Sequence, residues 1–409
     1  MIKLPQGWEV KKLGEIGFFI RGVSYKKEQL LSTKNENSVY LLRANNIQNE
    51  LNLDELQIIP KELVVDKIIQ NNDILFAMSS GSKHIVGKNI LLNNLNDFTF
   101  GAFCGLFRII NLNICHKFIA YYLRSDSYKN YIFNISKGSN INNLRFVDLE
   151  KFQIPLPPLK EQERIVGILD ESFAKIDESI KILEQDLLNL DELMQSALQK
   201  AFNPLKDNTK ENYKLPQGWE WKSLYEISNY GKTSQIKPSQ LKSNDWILEL
   251  EDIEKESGVL LRKVLFQDRQ SKSNKIKFSK GDILFGTLRP YLKKVIIANN
   301  DGVCSSEIMP FSTDNFITNH FIYYYLFTNF LHDKISNLTY GSRMPRLGTK
   351  DGKSLQIPLP PLQEQEQIAS HLDELSSHVK NLKQNYQAQI KDLQELKKSL
   401  LDKAFQGRL

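Results

Sequence analysis

Ile154-Pro155-Leu156-Pro157-Pro158-Leu159 occurs twice in this chain, returning as Ile357-Pro358-Leu359-Pro360-Pro361-Leu362, 203 residues later. The same offset already relates Gly138-Ser139 to Gly341-Ser342. It continues through Glu161-Gln162-Glu163 against Glu364-Gln365-Glu366 and Leu169-Asp170-Glu171 against Leu372-Asp373-Glu374. It still holds at Lys200-Ala201-Phe202 against Lys403-Ala404-Phe405. No insertion or deletion is needed over that span, so its length is fixed. A second block lies upstream, where Leu4-Pro5-Gln6-Gly7-Trp8-Glu9 returns as Leu215-Pro216-Gln217-Gly218-Trp219-Glu220, at an offset of 211. Two repeated blocks in the same order make the chain one unit written twice.

Between the blocks the interiors differ in length and, mostly, in sequence. One local echo survives, Asn72-Asp73-Ile74-Leu75-Phe76 against Gly281-Asp282-Ile283-Leu284-Phe285. A symmetric enzyme would tend to keep its interior alike in both copies. A reader of two different targets would let the interiors diverge.

After each Pro-Pro pair the pattern becomes helical. Proline is tolerated before a helix but not inside one, and Glu161, Glu163, Glu364 and Glu366 put negative charge on the first turns, where the helix dipole favours it. In the first helix Leu169, Phe173, Ile176, Ile180, Leu183, Leu187, Leu190, Met194, Ala197 and Ala201 alternate spacings of four and three, a coiled-coil seam. Leu372, Leu375, Val379, Leu382, Tyr386, Ile390, Leu393, Leu396 and Leu400 give a less strict stripe in the second. A stripe of about forty residues spans about 60 Å, longer than a domain of about 150 residues, so pairing the helices covers what would otherwise overhang. The short polar connector from Asn203 to Lys214 forces the second helix to run back towards the first domain, making the pair antiparallel.

The interiors, residues 17–153 and 228–356, alternate short apolar runs with Asn, Gly, Ser and Lys clusters, as a mixed, strand-rich fold does. Lys117 to Phe133 and Asn319 to Asn337 read as helices, and their tyrosines as core aromatics. The expected fold is therefore α+β: two mixed strand-rich globular domains separated by a long antiparallel two-helix coiled coil, with pseudo-twofold symmetry. The expected boundaries are a first domain at 1–160, a central spacer helix at 161–203, a connector at 204–214, a second domain at 215–363 and a C-terminal spacer helix at 364–409.

The net charge of +6 and pI near 8.9 permit a polyanionic partner without demanding one. Contact with DNA requires cations for phosphates and amide or guanidinium forks for base edges. In the first unit the loops with this chemistry contain Arg43, Asn45 and Asn46; Ser80, Lys83 and His84; and Ser139 and Asn140 leading to Arg145. In the second they contain Thr287, Arg289, Tyr291, Lys293 and Lys294; and Ser342, Arg343 and Arg346. Each loop alone is also what a solvated surface loop looks like. Their force lies in corresponding places in both units carrying this chemistry, after the Asp-Ile-Leu-Phe echo and at the Gly-Ser pair.

Catalytic patterns are missing. There is no P-loop and no dinucleotide-binding fingerprint. Asn203-Pro204 matches only part of the Asn-Pro-Pro-aromatic loop of amino-methyltransferases. Three cysteines (Cys104, Cys115 and Cys304) and six scattered histidines show no metal spacing. No cofactor is expected. No run of eighteen apolar residues suggests a membrane span, and Met1 to Val10 lacks a signal-peptide core, so the expected location is the cytoplasm.

Two divergent domains, each opened by Leu-Pro-x-Gly-Trp and closed by Ile-Pro-Leu-Pro-Pro-Leu-x-Glu-Gln before a long helix, closely resemble the specificity subunit of type I restriction-modification systems. The resemblance covers essentially the whole chain. It implies that the globular parts are target recognition domains, each reading one half of a bipartite double-stranded DNA site, and that the helices form the spacer. It further implies that two methyltransferase subunits dock on this chain and that restriction and translocation subunits join the complex. Adenine methylation and ATP-dependent cleavage would then belong to those partners. The family has no fixed base-contacting motif, so the loop residues above rest on their chemistry alone. A protein-binding scaffold and a self-contained nuclease or methyltransferase are the competing classes.

Overall fold

The computed structural model describes residues 5–64, 66–80, 85–136, 143–206, 213–314 and 317–409. It is mixed helix and strand, and divides into two compact units: residues 1–182 with 388–409, and residues 183–387.

The repeated blocks meet each other in space. In the first unit strand Glu9–Lys12 pairs antiparallel with Gln153–Leu156; in the second, Glu220–Ser223 pairs with Gln356–Leu359. Each pair forms a two-stranded sheet, an edge setting in which Pro155 and Pro358 leave no central ladder bond unmade. The turn before each entry strand explains the repeated glycine. Trp8 N–H reaches the Pro5 carbonyl at 3.3 Å and Trp219 N–H the Pro216 carbonyl at 3.2 Å, while Gly7 and Gly218 take φ of 86° and 87°. A positive φ at the third turn position suits glycine.

Inside the first unit a four-stranded antiparallel sheet has the order Gly17–Arg21, Cys104–Ile109, Ile74–Ala77, Asn89–Leu91. A three-stranded sheet of Gln57–Pro60, Ser38–Leu42 and Phe98–Phe100 accompanies it. The second unit has a three-stranded sheet of Val295–Ile297, Ile283–Gly286 and Ile308–Phe311, and a five-stranded one around Gly302–Cys304. The echoed Ile-Leu-Phe is therefore the inner strand of a sheet in both units, and its unbroken apolar run follows from burial on both faces: Ile74 and Phe76 face one core and Leu75 another, as do Ile283 and Phe285 against Leu284. The echoed aspartate shapes the turn before it: Asp73 accepts the Gln70 N–H and Asp282 the Ser279 N–H, both at 2.7 Å.

The two tyrosine-bearing helical stretches each break in two, into His116–Tyr122 with Asp126–Ser136 and Asn319–Tyr325 with Asn329–Leu338. The second break falls at Thr328, whose hydroxyl donates back to the Tyr325 carbonyl at 2.8 Å, a local bond that competes with continued helix. Tyr121, Tyr122, Tyr324 and Tyr325 are buried, as core aromatics.

The long helices run Leu159–Phe202 and Leu362–Phe405, 44 residues each. Their repeated residues hold them to the globular cores. Gln162, buried, accepts the Cys115 N–H at 2.9 Å and donates to the Pro157 carbonyl at 2.8 Å. Gln365 does the same with Thr318 at 3.3 Å and Pro360 at 2.9 Å. Asp170 accepts the Tyr121 hydroxyl, and Asp373 that of Tyr324 at 2.7 Å. The first unit's core contains Ile165, Leu169 and Phe173 from one helix together with Leu401, Ala404 and Phe405 from the other. The second unit's core contains Leu198 and Phe202 together with Ala369 and Leu372. Ion pairs join helix to helix within each unit: Lys397 to Asp177 at 2.6 Å in the first, and Lys383 to Asp191 in the second. In the second helix the stripe is less covered than its spacing suggests, with Leu382 and Leu396 exposed.

Candidate nucleic-acid interface

The strand that carries the echo ends at a loop, and a second segment, which follows the Gly-Ser pair in sequence, meets it. In the first unit Leu144 N–H donates to the Met78 carbonyl at 2.8 Å, and Ser79 bridges Asn143. In the second, Leu347 N–H donates to the Thr287 carbonyl at 2.9 Å, and Leu288 bridges Arg346. The loops singled out separately in the sequence are thus stitched together in each unit.

A third segment joins the confluence. Met78 and Ser79 N–H both donate to the Phe103 carbonyl, at 2.9 and 3.1 Å. Thr287 N–H and hydroxyl both donate to the Glu307 carbonyl, at 2.8 and 3.0 Å. A fourth segment repeats likewise. Gly101 N–H reaches the Leu42 carbonyl at 2.9 Å and Ser305 N–H the Leu248 carbonyl at 3.1 Å. The next residue's N–H is capped three residues on: Arg43 by Asn46 at 2.8 Å, Glu249 by Asp252 at 2.9 Å. Met78 therefore corresponds to Thr287, Phe103 to Glu307, Arg43 to Glu249 and Asn46 to Asp252. One backbone scaffold presents different side chains in the two units.

The candidate residues fall into distinct environments. Arg43 is half-buried, with its Nε enclosed and unpartnered among the described residues. Asn45 is exposed and faces an open hollow with Gln48, Asn49, Asn52 and Lys88. Asn46 is buried, its amide donating to the Asn52 carbonyl at 2.8 Å. Ser80 is half-buried. Arg145 is exposed and forks onto Asp148 at 2.7 and 2.9 Å, which holds that carboxyl below its usual range. Lys83, His84, Ser139 and Asn140 lie outside the described residues.

In the second unit Thr287 is buried. Lys293 is buried too, donating to the Phe327 carbonyl at 3.2 Å and to Asn329 at 2.6 Å, and desolvation lowers its pKa. Lys294 donates to the Leu250 carbonyl at 2.6 Å, and burial lowers its pKa as well. Both lysines hold the loop from inside. Arg289 and Lys293 take φ of 49° and 46° on either side of the short Pro290–Leu292 turn, costly backbone for non-glycine residues. That geometry leaves Arg289 and Tyr291 exposed. Arg289 N–H donates to the Pro345 carbonyl at 2.7 Å, fastening this turn to the hairpin formed by Thr339–Tyr340 and Arg346–Leu347. The hairpin carries Ser342 and Arg343, both exposed, and Arg346, which donates to the Ser306 carbonyl at 2.9 Å. No carboxylate pairs with Arg289, Arg343 or Arg346 among the described residues.

The sequence reading missed exposed Phe103, Tyr340 and Met344, and Glu307. Phe103 opens an apolar run read as strand, and nothing in that run marks its first residue as solvent-facing. The opposite arrangement lies at the Arg43 equivalent. There Glu249 takes Lys275 at 2.6 Å, and buried Asp252 takes Arg262 and Arg269. Burial raises the Asp252 pKa, but the bonds from Arg269 and Arg262 outweigh it and the net shift is downward.

Among the described residues no three His, Cys, Asp or Glu side chains gather as a metal site. Burial pushes the Cys104 thiol up to about 12, which keeps it protonated and a poor nucleophile. No helix among the described residues is long and apolar enough to cross a membrane.

The family model for the type I restriction modification DNA specificity domain matches this chain twice, at residues 5–187 and 216–392. The chain belongs to that family. The specificity subunit of the type I restriction enzyme EcoKI from Escherichia coli (strain K12) is 30% identical over 427 residues, covering 100% of this chain and 90% of the relative. The StySPI specificity subunit of Salmonella potsdam is 30% identical over 428 residues, with the same coverage. A chain from a solved type I R-M system superposes with a TM-score of 0.77 at 22% identity, covering 100% of both chains. The HsdS subunit from Thermoanaerobacter tengcongensis gives 0.57 at 22% identity, covering 100% of this chain and 98% of that one. The doubled match of this specificity subunit to one domain model coincides with its internal repeat.

Proposed function

We propose that this specificity subunit reads an asymmetric bipartite site on double-stranded DNA, one half with each globular domain. The observation that carries this reading is the shared hydrogen-bonded loop scaffold bearing unlike side chains. A common frame with Arg43, Asn46 and Phe103 in one copy and Glu249, Asp252 and Glu307 in the other suits two different half-sites. The functional division follows residues 1–160 and 215–363 as target recognition domains, 161–203 and 364–409 as spacer helices, and 204–214 as connector. The helices act as an antiparallel coiled-coil spacer relating the domains by a pseudo-twofold axis.

Arg43, Asn45, Ser80 and Arg145 in the first domain, and Arg289, Tyr291, Ser342, Arg343 and Arg346 in the second, form the DNA-facing set. Lys83, His84, Ser139 and Asn140 complete it. Asn46, Thr287, Lys293 and Lys294 support the loops. The chain is non-catalytic and works in the cytoplasm. Two methyltransferase subunits dock on it, and restriction and translocation subunits join through that complex. Methylation of adenine and ATP-dependent cleavage are the partners' reactions.

Sequencing of methylated positions in cells expressing the complex tests the reading. Two unlike half-sites separated by a fixed non-specific gap are expected; a contiguous or palindromic target would overturn it.

A further inference from the structure

One position at the loop confluence has the same backbone setting in both units and opposite chemistry in its side chain. Phe103 precedes strand Cys104–Ile109, and Glu307 precedes strand Ile308–Phe311. Each carbonyl is held by two donors, Met78 and Ser79 N–H in one unit, Thr287 N–H and hydroxyl in the other. The two side chains therefore leave one pinned backbone at the same place beside the loops. Phe103 is 67% exposed. Glu307 is half-buried and has no ion-pair partner among the described residues.

We propose that this is a specificity-determining position, rested on the reading of the chain as a two-half-site DNA reader. Phe103 contacts the methyl group of a thymine in one half-site. Glu307 accepts a hydrogen bond from the N4 amino group of a cytosine in the other. The chemistry selects these edges. A carboxylate at a loop confluence whose hydrogen-bonded segments also carry Arg289 and Arg346 is repelled by phosphates, so it is useful on a DNA-facing surface only against a base-edge donor, and in the major groove glutamate's partner is cytosine N4. Phenylalanine offers no hydrogen bond, and the apolar feature of the major groove is the thymine methyl. Arg346, on the hairpin strand, donates to the carbonyl of Ser306, the residue before Glu307, which fastens a cation-bearing hairpin to the turn that carries this carboxylate.

The test is selection from a randomised duplex DNA pool by the full-length chain purified with its methyltransferase subunits. Wild type, Phe103→Ala and Glu307→Gln are compared, with thermal melts showing that each variant is folded. Because glutamine pairs with adenine where glutamate pairs with cytosine, Glu307→Gln is expected to change one position of one half-site from cytosine to adenine, by roughly tenfold in preference. Phe103→Ala is expected to lose a thymine preference in the other half-site only. Replacing that thymine by uracil, which removes just the methyl, is expected to weaken the wild type and leave Phe103→Ala unchanged. An unaltered consensus in both variants overturns the proposal, as does weaker binding to all sequences alike. A wild type that selects no bipartite consensus overturns the two-half-site reading itself, a result distinguishable from either.

Discussion

Phe405 stands edge-on to Tyr122, with ring centroids 4.8 Å apart and an interplanar angle of 72°. It meets Phe118 in the same way at 5.2 Å. In the second unit Phe202 meets Phe321 and Tyr325 at 5.0 and 5.2 Å. The repeated Lys-Ala-Phe thus ends each long helix in an aromatic pocket. Truncating a buried phenylalanine costs about 3–5 kcal/mol. Phe405→Ala is expected to destabilise the first unit by that amount, measured by denaturant unfolding.

Asp252 is fully buried and serves as the common acceptor for Arg262, Arg269 and the Glu249 N–H. Asp252→Asn keeps the shape and removes the charge. Because the guanidiniums are partly exposed, water softens the penalty, and a loss of about 2–3 kcal/mol is expected. Double-mutant cycles with Arg269→Met would show the coupling.

His332 is buried, and desolvation lowers its pKa to about 4. Its Nε2 lies 2.7 Å from the Leu326 carbonyl, so the neutral ring donates there. In the unfolded chain a histidine titrates near 6.5. Between these values the unfolded state binds the extra proton, so stability falls as pH drops from about 6.5 to about 4. His332→Gln, which can keep a donor for that carbonyl, is expected to flatten this part of the melting-temperature profile. A parallel profile in wild type and variant would show that other groups control it.

Arg289 and Arg343 are exposed cations without carboxylate partners among the described residues. As phosphate contacts, each alanine substitution is expected to weaken DNA binding uniformly across sequences and to reduce the log–log salt slope by about 0.9. Lys293→Ala is expected to lower stability first, since its ammonium is bonded internally. Mobility shifts at graded salt, alongside melts, separate the two behaviours.

If the long helices form the proposed spacer, adding four residues to each lengthens it by about 6 Å. At about 3.4 Å per base pair that is roughly two extra base pairs between half-sites. An unchanged gap would rule out the spacer role.

The frame was legible because it is repeated, and several of the repeated residues prove to have a local duty. Gly7 and Gly218 turn the chain, Gln162 and Gln365 grip it, and Phe202 and Phe405 anchor it. The loops were legible only by residue type. Lys293 and Lys294 look like surface cations in sequence, and their burial follows from a turn whose positive φ angles no local pattern announces. The correspondence of Phe103 with Glu307 was hidden for another reason. Leu42 and Leu248 differ by 206 positions, Phe103 and Glu307 by 204, and Met78 and Thr287 by 209. With loop lengths drifting this way, no single offset aligns the interiors, and only their shared backbone hydrogen bonds do.

Gln162 and Gln365 hold their domains through main-chain N–H and carbonyl groups, which every sequence supplies. That part of the grip places little demand on what lies between the entry and exit strands, beyond the aromatic residues that meet Asp170, Asp373, Phe202 and Phe405. Exchanging one interior for another, cut at Leu-Pro-x-Gly-Trp and at Ile-Pro-Leu-Pro-Pro, would leave both handles of the joint intact. On the proposed reading, an interior that keeps those aromatic contacts could be exchanged as a cassette, and a new preference would then arrive whole instead of one substitution at a time.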